Sequence, residues 1–334
     1  MRPTTLNIQL HQGRKTMKLR QTIAKLLLGA SFAIALTAGA QAADKPEIAL
    51  LLYSRGFEFM VALDQGARAE AEKQGVNLTV LDGQSSSEVQ TRQIEDLLVK
   101  GIGAIVISPA NSNEIVPAVR KANQAKVPVV ALDAIVGDGA DVVTYVGFDN
   151  AEGGKVAAQY LADHGGITKV LELQGALGAY HAQKRGGGFA EGAKGHFEVM
   201  PRPAEWLAEN AQSITADMLT ANPDINAIFS HNDEMVRGIQ AGLRQIGKET
   251  KVGDPGHIVI VGIDGTPLAL QRIRAGEQDA TVNQDPFEMG ALAVRSALSA
   301  MKGGTVPPQQ LLPPTLVTKA NVDDASLWGN RFKP

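Results

Sequence analysis

EIALLLYSRGFEFMVALDQGARAEAEKQG, residues 47–75, holds the unit from which most of the chain is built. It opens on the strand candidate EIALLLY (47–53), whose residues 48–52, IALLL, are a continuous apolar run. After a short polar bend it continues as EFMVALDQGARAEAEKQG (58–75), whose apolar residues recur at helical spacing. Gly75 closes the segment, as glycine commonly does at a helix C-terminus. A strand that is apolar at every position has no solvent face, so it belongs in a parallel sheet covered by helices on both sides.

The same unit recurs outward from this stretch. NLTVLDG (77–83), GAIVIS (103–108), VPVVALD (127–133) and VVTYVGFD (142–149) read as further strands, and SSEVQTRQIEDLLVKG (86–101) as a helix. A second series opens at AEGGKVAAQYLADHG (151–165) and contains TKVLELQ (168–174), NAIFS (226–230) and HIVIVGID (257–264). Strands alternating with helices, twice over, predict an α/β protein of two doubly wound parallel-sheet lobes. Open sheets of this kind bind ligands at the carboxyl ends of their strands. That rule makes Tyr53, Asp82, Ser108, Asp133, Gln174, Asn232 and Asp264 the candidate positions. Tyr53 also opens YSRGFEF (53–59), which puts three rings into seven residues of a chain that is 4% aromatic.

The N-terminus has a different composition. Residues 1–42 hold six Lys/Arg and no Asp or Glu, followed by LLLGASFAIALTAGA (26–40) and then Ala40, Gln41, Ala42. A basic segment, a short apolar segment and a small-x-small site predict a secretory signal peptide over residues 1–42, cleaved near Ala42, with Met17 an alternative start. Without its six basic residues the chain keeps 26 Lys+Arg against 35 Asp+Glu, a net charge of −9. That balance does not suit nucleic acid, which selects basic stripes. The absence of Cys excludes disulfides and a lipidated cysteine. A free periplasmic, monomeric protein is the expectation.

No catalytic signature is present, so no enzyme activity, cofactor or metal is expected. GIGAIV (101–106) precedes a strand instead of following one, which fails the context of a dinucleotide fingerprint. KRGGGFAEG (184–192) lacks the spacing of a phosphate loop, and Gly187 and Gly188 can instead serve close helix packing. His164, His181, His196 and His231 have no zinc spacing. What the strand ends offer is hydrogen-bonding chemistry: carboxylates, an amide and the fork of Arg185 beside aromatic faces. Each Asp also has an ordinary alternative as a helix N-cap.

The blocks IALLL, DQGARAEAEKQG, ANQAKVPVVALD, FDNAEGGK, LELQG, HNDEM and VGIDGTP, in this order, resemble the ribose-type periplasmic sugar-binding proteins of ABC transporters, the type I periplasmic binding protein family. The resemblance covers nearly the whole chain after the signal segment. It implies two Rossmann-like lobes joined by a three-segment hinge near Phe148, Gln284 and residues 312–315. The N-terminal lobe would span 44–148 plus 284–313, and the C-terminal lobe 149–283 plus 314–330. It implies capture of a monosaccharide or sugar alcohol and delivery to a membrane permease. The alternative is a periplasmic sensor that presents ligand to a chemoreceptor or receptor kinase. Carried over by position, the ligand residues would be Asp133, Arg185, Asn232, Asp264 and Gln284, with Phe59 and Trp206 as rings on either side of the sugar. The departures lie in the first lobe. Asp133 is followed by Ala134 where the family has arginine, Tyr53 and Phe57 replace small polar residues, and Met60 replaces a phenylalanine. Arg55 is the candidate to replace the missing arginine.

Overall fold

The structure, a computed structural model, describes residues 45–333 together with Met1. The expected signal segment and its cleavage site therefore lie outside the described residues. Six strands form a first sheet: β1 (Glu47–Leu52), β2 (Asn77–Asp82), β3 (Ala104–Ile107), β4 (Val129–Leu132), β5 (Thr144–Phe148) and β11 (Gln309–Leu312). Their order is β11-β5-β4-β3-β1-β2 and every pairing is parallel. A second sheet holds β6 (Lys169–Gln174), β7 (Glu198–Pro203), β8 (Ala227–Ser230), β9 (Val259–Asp264), β10 (Ala280–Asn283) and β12 (Thr315–Thr318). It repeats the same order as β12-β10-β9-β8-β6-β7, with only the β10–β12 pair antiparallel.

Alternation along each strand feeds two layers of helix. Ile48, Leu50 and Leu52 of β1 face one way, into a core shared with α1 (Glu58–Gln74) and α9 (Pro286–Met301). Ala49 and Leu51 face the other way, toward α2 (Ser87–Val99) and α3 (Val116–Gln124). The second sheet is built alike, with α4 (Asn150–His164) and α5 (Tyr180–Gly192) on one face. The other face carries α6 (Ala208–Ala221) and α7 (Asp233–Gln245), and α8 (Pro267–Ala275) follows β9. Full burial of both faces is why these strands read as unbroken apolar runs. The fold is the expected pair of doubly wound lobes.

The chain passes between the sheets three times, from β5 into α4, from β10 into α9 and from β11 to β12. After β12 it ends in a short helix, α10 (Trp328–Arg331), whose Trp328 is completely buried. Arg331 pairs with Asp285 at 2.6 Å, beside the second crossing. The Gly-rich run of residues 184–192 lies within α5. There Gly188 packs so closely on α4 that a Cβ would sit 1.9 Å from the Ala151 carbonyl oxygen, whereas Gly187 faces open space. Among the described residues no helix is long and apolar enough to cross a membrane.

Candidate functional site

The carboxyl ends of both sheets open on one cavity, lined by residues of both lobes. Its first-lobe wall comes from Tyr53 after β1, from Phe57, Phe59 and Met60 at the start of α1, and from Asp133 after β4. The second lobe contributes His181 and Arg185 of α5, Trp206 before α6, Asn232 after β8 and Asp264 at the end of β9. Gln284, on the crossing after β10, completes it.

Polar groups on the wall are held by the strand ends that carry them. Asp133 is 4% exposed and turns out of β4 at φ 63°. Its carbonyl oxygen accepts from the Tyr145 hydroxyl at 2.9 Å, and Ser108 Oγ donates to its carboxylate at 3.5 Å. Asp264 leaves β9 at φ 130° and accepts from Gln284 Nε2 at 2.7 Å. Arg185 is buried, with its partners in the second lobe. It donates from Nε to Asn150 Oδ1 at 2.8 Å and from Nη1 to the carbonyl oxygen of His231, and Nη1 lies 3.7 Å from Asp264 Oδ1. Neither acid is a helix cap. Asn232 is one, since its Oδ1 accepts from Met235 N at 2.9 Å, which leaves its amide nitrogen as the donor toward the cavity.

Burial sets the electrostatics. Desolvation pushes the carboxyl of Asp133 up to about 6, against the pull of Arg185 and Ser108. It raises Asp264 to about 7, with the nearby carboxylates Asp233 and Asp133 adding to the rise and Arg185 and Gln284 opposing it. Two buried carboxyls and one buried guanidinium thus share the cavity wall, a donor–acceptor set suited to neutral hydroxyls.

The aromatic residues have separate supports. Trp206 is 4% exposed at φ 68°, and its six-membered ring lies over Gly175, where a Cβ would fall 2.0 Å from the indole. Only glycine at the end of LELQG leaves room for it. Phe59 meets the buried Trp328 edge-on at 6.3 Å between ring centroids. Phe57 touches the apolar clusters of both lobes and stands 5.8 Å from the Tyr53 ring.

Nine of the ten expected site residues meet at this cavity. Arg55 does not. Its Nη2 pairs with Asp64 at 2.8 Å, nine residues on along α1, and its side chain is 41% exposed. The acid of α1 holds the guanidinium, and Arg55 is not among the residues that line the cavity. Asp82 is absent for a similar reason: its carboxylate accepts from the backbone N–H of Arg55 and Gln84 to fold the turn. Gln174 faces a separate small cleft beside α5. His181 was missed. A lone histidine carries no spacing signal, and only the fold sets it against Trp206, 25 residues away.

A family model described as periplasmic binding protein domain matches residues 48–305. The chain belongs to the periplasmic binding protein family. Within that family it is 37% identical over 282 residues to the ribose import binding protein of Salmonella typhimurium, covering 84% of this chain and 93% of that protein. Among solved structures it resembles a periplasmic binding protein of an ABC transporter from Actinobacillus succinogenes 130z with bound D-allose. That match has a TM-score of 0.77 and 29% identity, over 84% of this chain and 100% of the other. It also resembles the Caulobacter myo-inositol binding protein bound to myo-inositol, with a TM-score of 0.79 and 27% identity over 86% and 97% of the two chains. These relatives are binding proteins, not enzymes.

Proposed function

We propose that this chain is the soluble binding component of an ABC importer. It captures a monosaccharide or sugar alcohol between its lobes and delivers it to a membrane permease. One observation carries the reading: Asp133, Arg185, Asn232, Asp264 and Gln284, drawn from both lobes and a crossing, converge beside aromatic faces on one cavity. Carboxylates accept from hydroxyls, amides both donate and accept, and the rings suit the C–H faces of a sugar. The printed ligands of the relatives, ribose, D-allose and myo-inositol, are of this polyhydroxyl class.

In this reading the lobes, 44–148 with 284–313 and 149–283 with 314–330, open and close about the three crossings. Ligand shifts the population toward the closed form by contacts that only that form makes. Replacement of small polar residues by Tyr53 and Phe57, and of an arginine by Ala134, sets the specificity apart from that of the ribose binders. Purified protein should melt at a higher temperature with one pentose, hexose or polyol of a panel, because a ligand that binds only the folded state stabilises it. If no carbohydrate raises the melting temperature, the reading fails and the fold assignment stands.

A further inference from the structure

Two polar atoms on the second-lobe wall have no use within the protein. His181 lies face to face with Trp206, ring centroids 4.7 Å apart and planes 18° from parallel. His181 Nδ1 and Trp206 Nε1 are both buried, and neither has a hydrogen-bond partner among the described residues. Buried polar groups in native proteins are nearly always partnered. Two adjacent exceptions at a cavity wall mark a place where a ligand supplies the partner.

The other histidine beside Trp206 shows the contrast. His231 Nδ1 accepts from the Gly175 N–H at 3.3 Å, and its Nε2 donates to Glu172 Oε1 at 2.8 Å. Both of its nitrogens are committed to the scaffold, and His181 is the one directed to the cavity. Desolvation, with Arg185 and His231 nearby, holds the His181 imidazolium form down to about 3, so the ring is neutral at any physiological pH. A neutral imidazole has one N–H and one lone pair, while an indole N–H only donates. A hydroxyl, which donates and accepts at once, matches this pair.

We propose that His181 is a specificity-determining contact of the cavity, reading one hydroxyl of the bound sugar or polyol together with Trp206 Nε1. The inference rests on the carbohydrate reading of the site. It assigns to His181 a discrimination between a ligand and its deoxy analogue, since a site built to bond a hydroxyl rejects the analogue that lacks it.

The test compares D-ribose, D-allose and myo-inositol with their singly deoxygenated analogues on wild type, His181→Phe and His181→Asn, by isothermal titration. His181→Phe keeps a ring against Trp206 without a nitrogen, and His181→Asn keeps a polar atom near Nδ1 without the ring. The parent ligand should bind His181→Phe about tenfold more weakly, with one deoxy analogue unchanged and the affinity ratio for that position falling to near one. His181→Asn should recover part of the ratio. Uniform weakening of every ligand, or none, overturns the inference, because a residue that only props up Trp206 would affect all ligands alike. If His181→Phe does not fold, His181→Ala is read against the same pairs. Absence of carbohydrate binding by the wild type would instead overturn the carbohydrate reading itself.

Discussion

Trp328 donates its Nε1–H to the carbonyl oxygen of Asp264 at 2.7 Å. The donor belongs to the short C-terminal helix and the acceptor is the residue that ends β9 at the cavity wall. The same indole rests edge-on against Phe59 of the other lobe. One buried side chain therefore supports both an acid and a ring of the site, and it does so without lining the cavity.

Trp328→Phe keeps most of the ring and removes the donor. It should lower stability by about 1 kcal/mol, the usual worth of one hydrogen bond, and weaken ligand binding several-fold through a loosened Asp264. Trp328→Ala should cost about 3–5 kcal/mol in chemical denaturation. A Trp328→Phe protein with wild-type affinity would show that Asp264 needs no such support.

Gly175→Ala places a methyl group against the indole of Trp206. The expected result is a loss of ligand affinity of more than tenfold with a changed tryptophan emission, because the ring must leave its seat. Unchanged emission and affinity would mean that the indole is not held there.

Much of the fold was legible in the sequence, and the exceptions share a cause. β3 and β4 are apolar throughout, β1, β8 and β9 carry a single polar residue at one end, and all five could be read from their runs alone. β7 (EVMPRP) is an edge strand with two prolines and alternating exposure, so it has no such run. β10 (ATVN), β11 (QQLL) and β12 (TLVT) place two polar residues among their four, so no apolar run marks them. The site followed the same division. Strand-end acids were visible because the topology rule points at them. The place of His181 depends on how the first turn of α5 meets the segment before α6, and that of Arg55 on an ion pair that composition does not announce.

Arg55→Ala should bind ligand as the wild type does. Its pair with Asp64 is half exposed and worth about 1 kcal/mol at most, so only a small drop in melting temperature is expected. A tenfold loss of affinity by titration would return Arg55 to the site.

Ligand affinity should rise with pH. Asp133 and Asp264 have folded values of about 6 and 7 against a usual 3.8, so the unliganded protein holds protons that the unfolded chain releases. Their contribution to stability is full below about pH 4 and is lost as pH rises through 6 to 7. Hydroxyls that donate to these acids favour the charged forms, so binding near pH 6 should release protons. Affinity should be about tenfold lower at pH 5 than at pH 8. Titration calorimetry in two buffers of different ionisation enthalpy measures both effects, and proton uptake on binding would reverse the assignment.

Asp264→Ala should weaken binding at least tenfold, since a buried ligand hydroxyl is left unpaired at a cost of ~1–3 kcal/mol. Full retention of affinity in a folded variant would place the site elsewhere.

Asp133, Trp206 and Asp264 all sit at positive φ, where an L side chain costs about 1–3 kcal/mol and glycine costs little. The cavity thus concentrates conformational strain in the residues that do the recognising. A library of this chain selected for heat resistance alone should drift toward glycine at Asp133 and Asp264, whose buried carboxyls add no apolar packing, and lose its ligand as it gains stability. Thermostable biosensors made from this scaffold need binding in the selection from the first round.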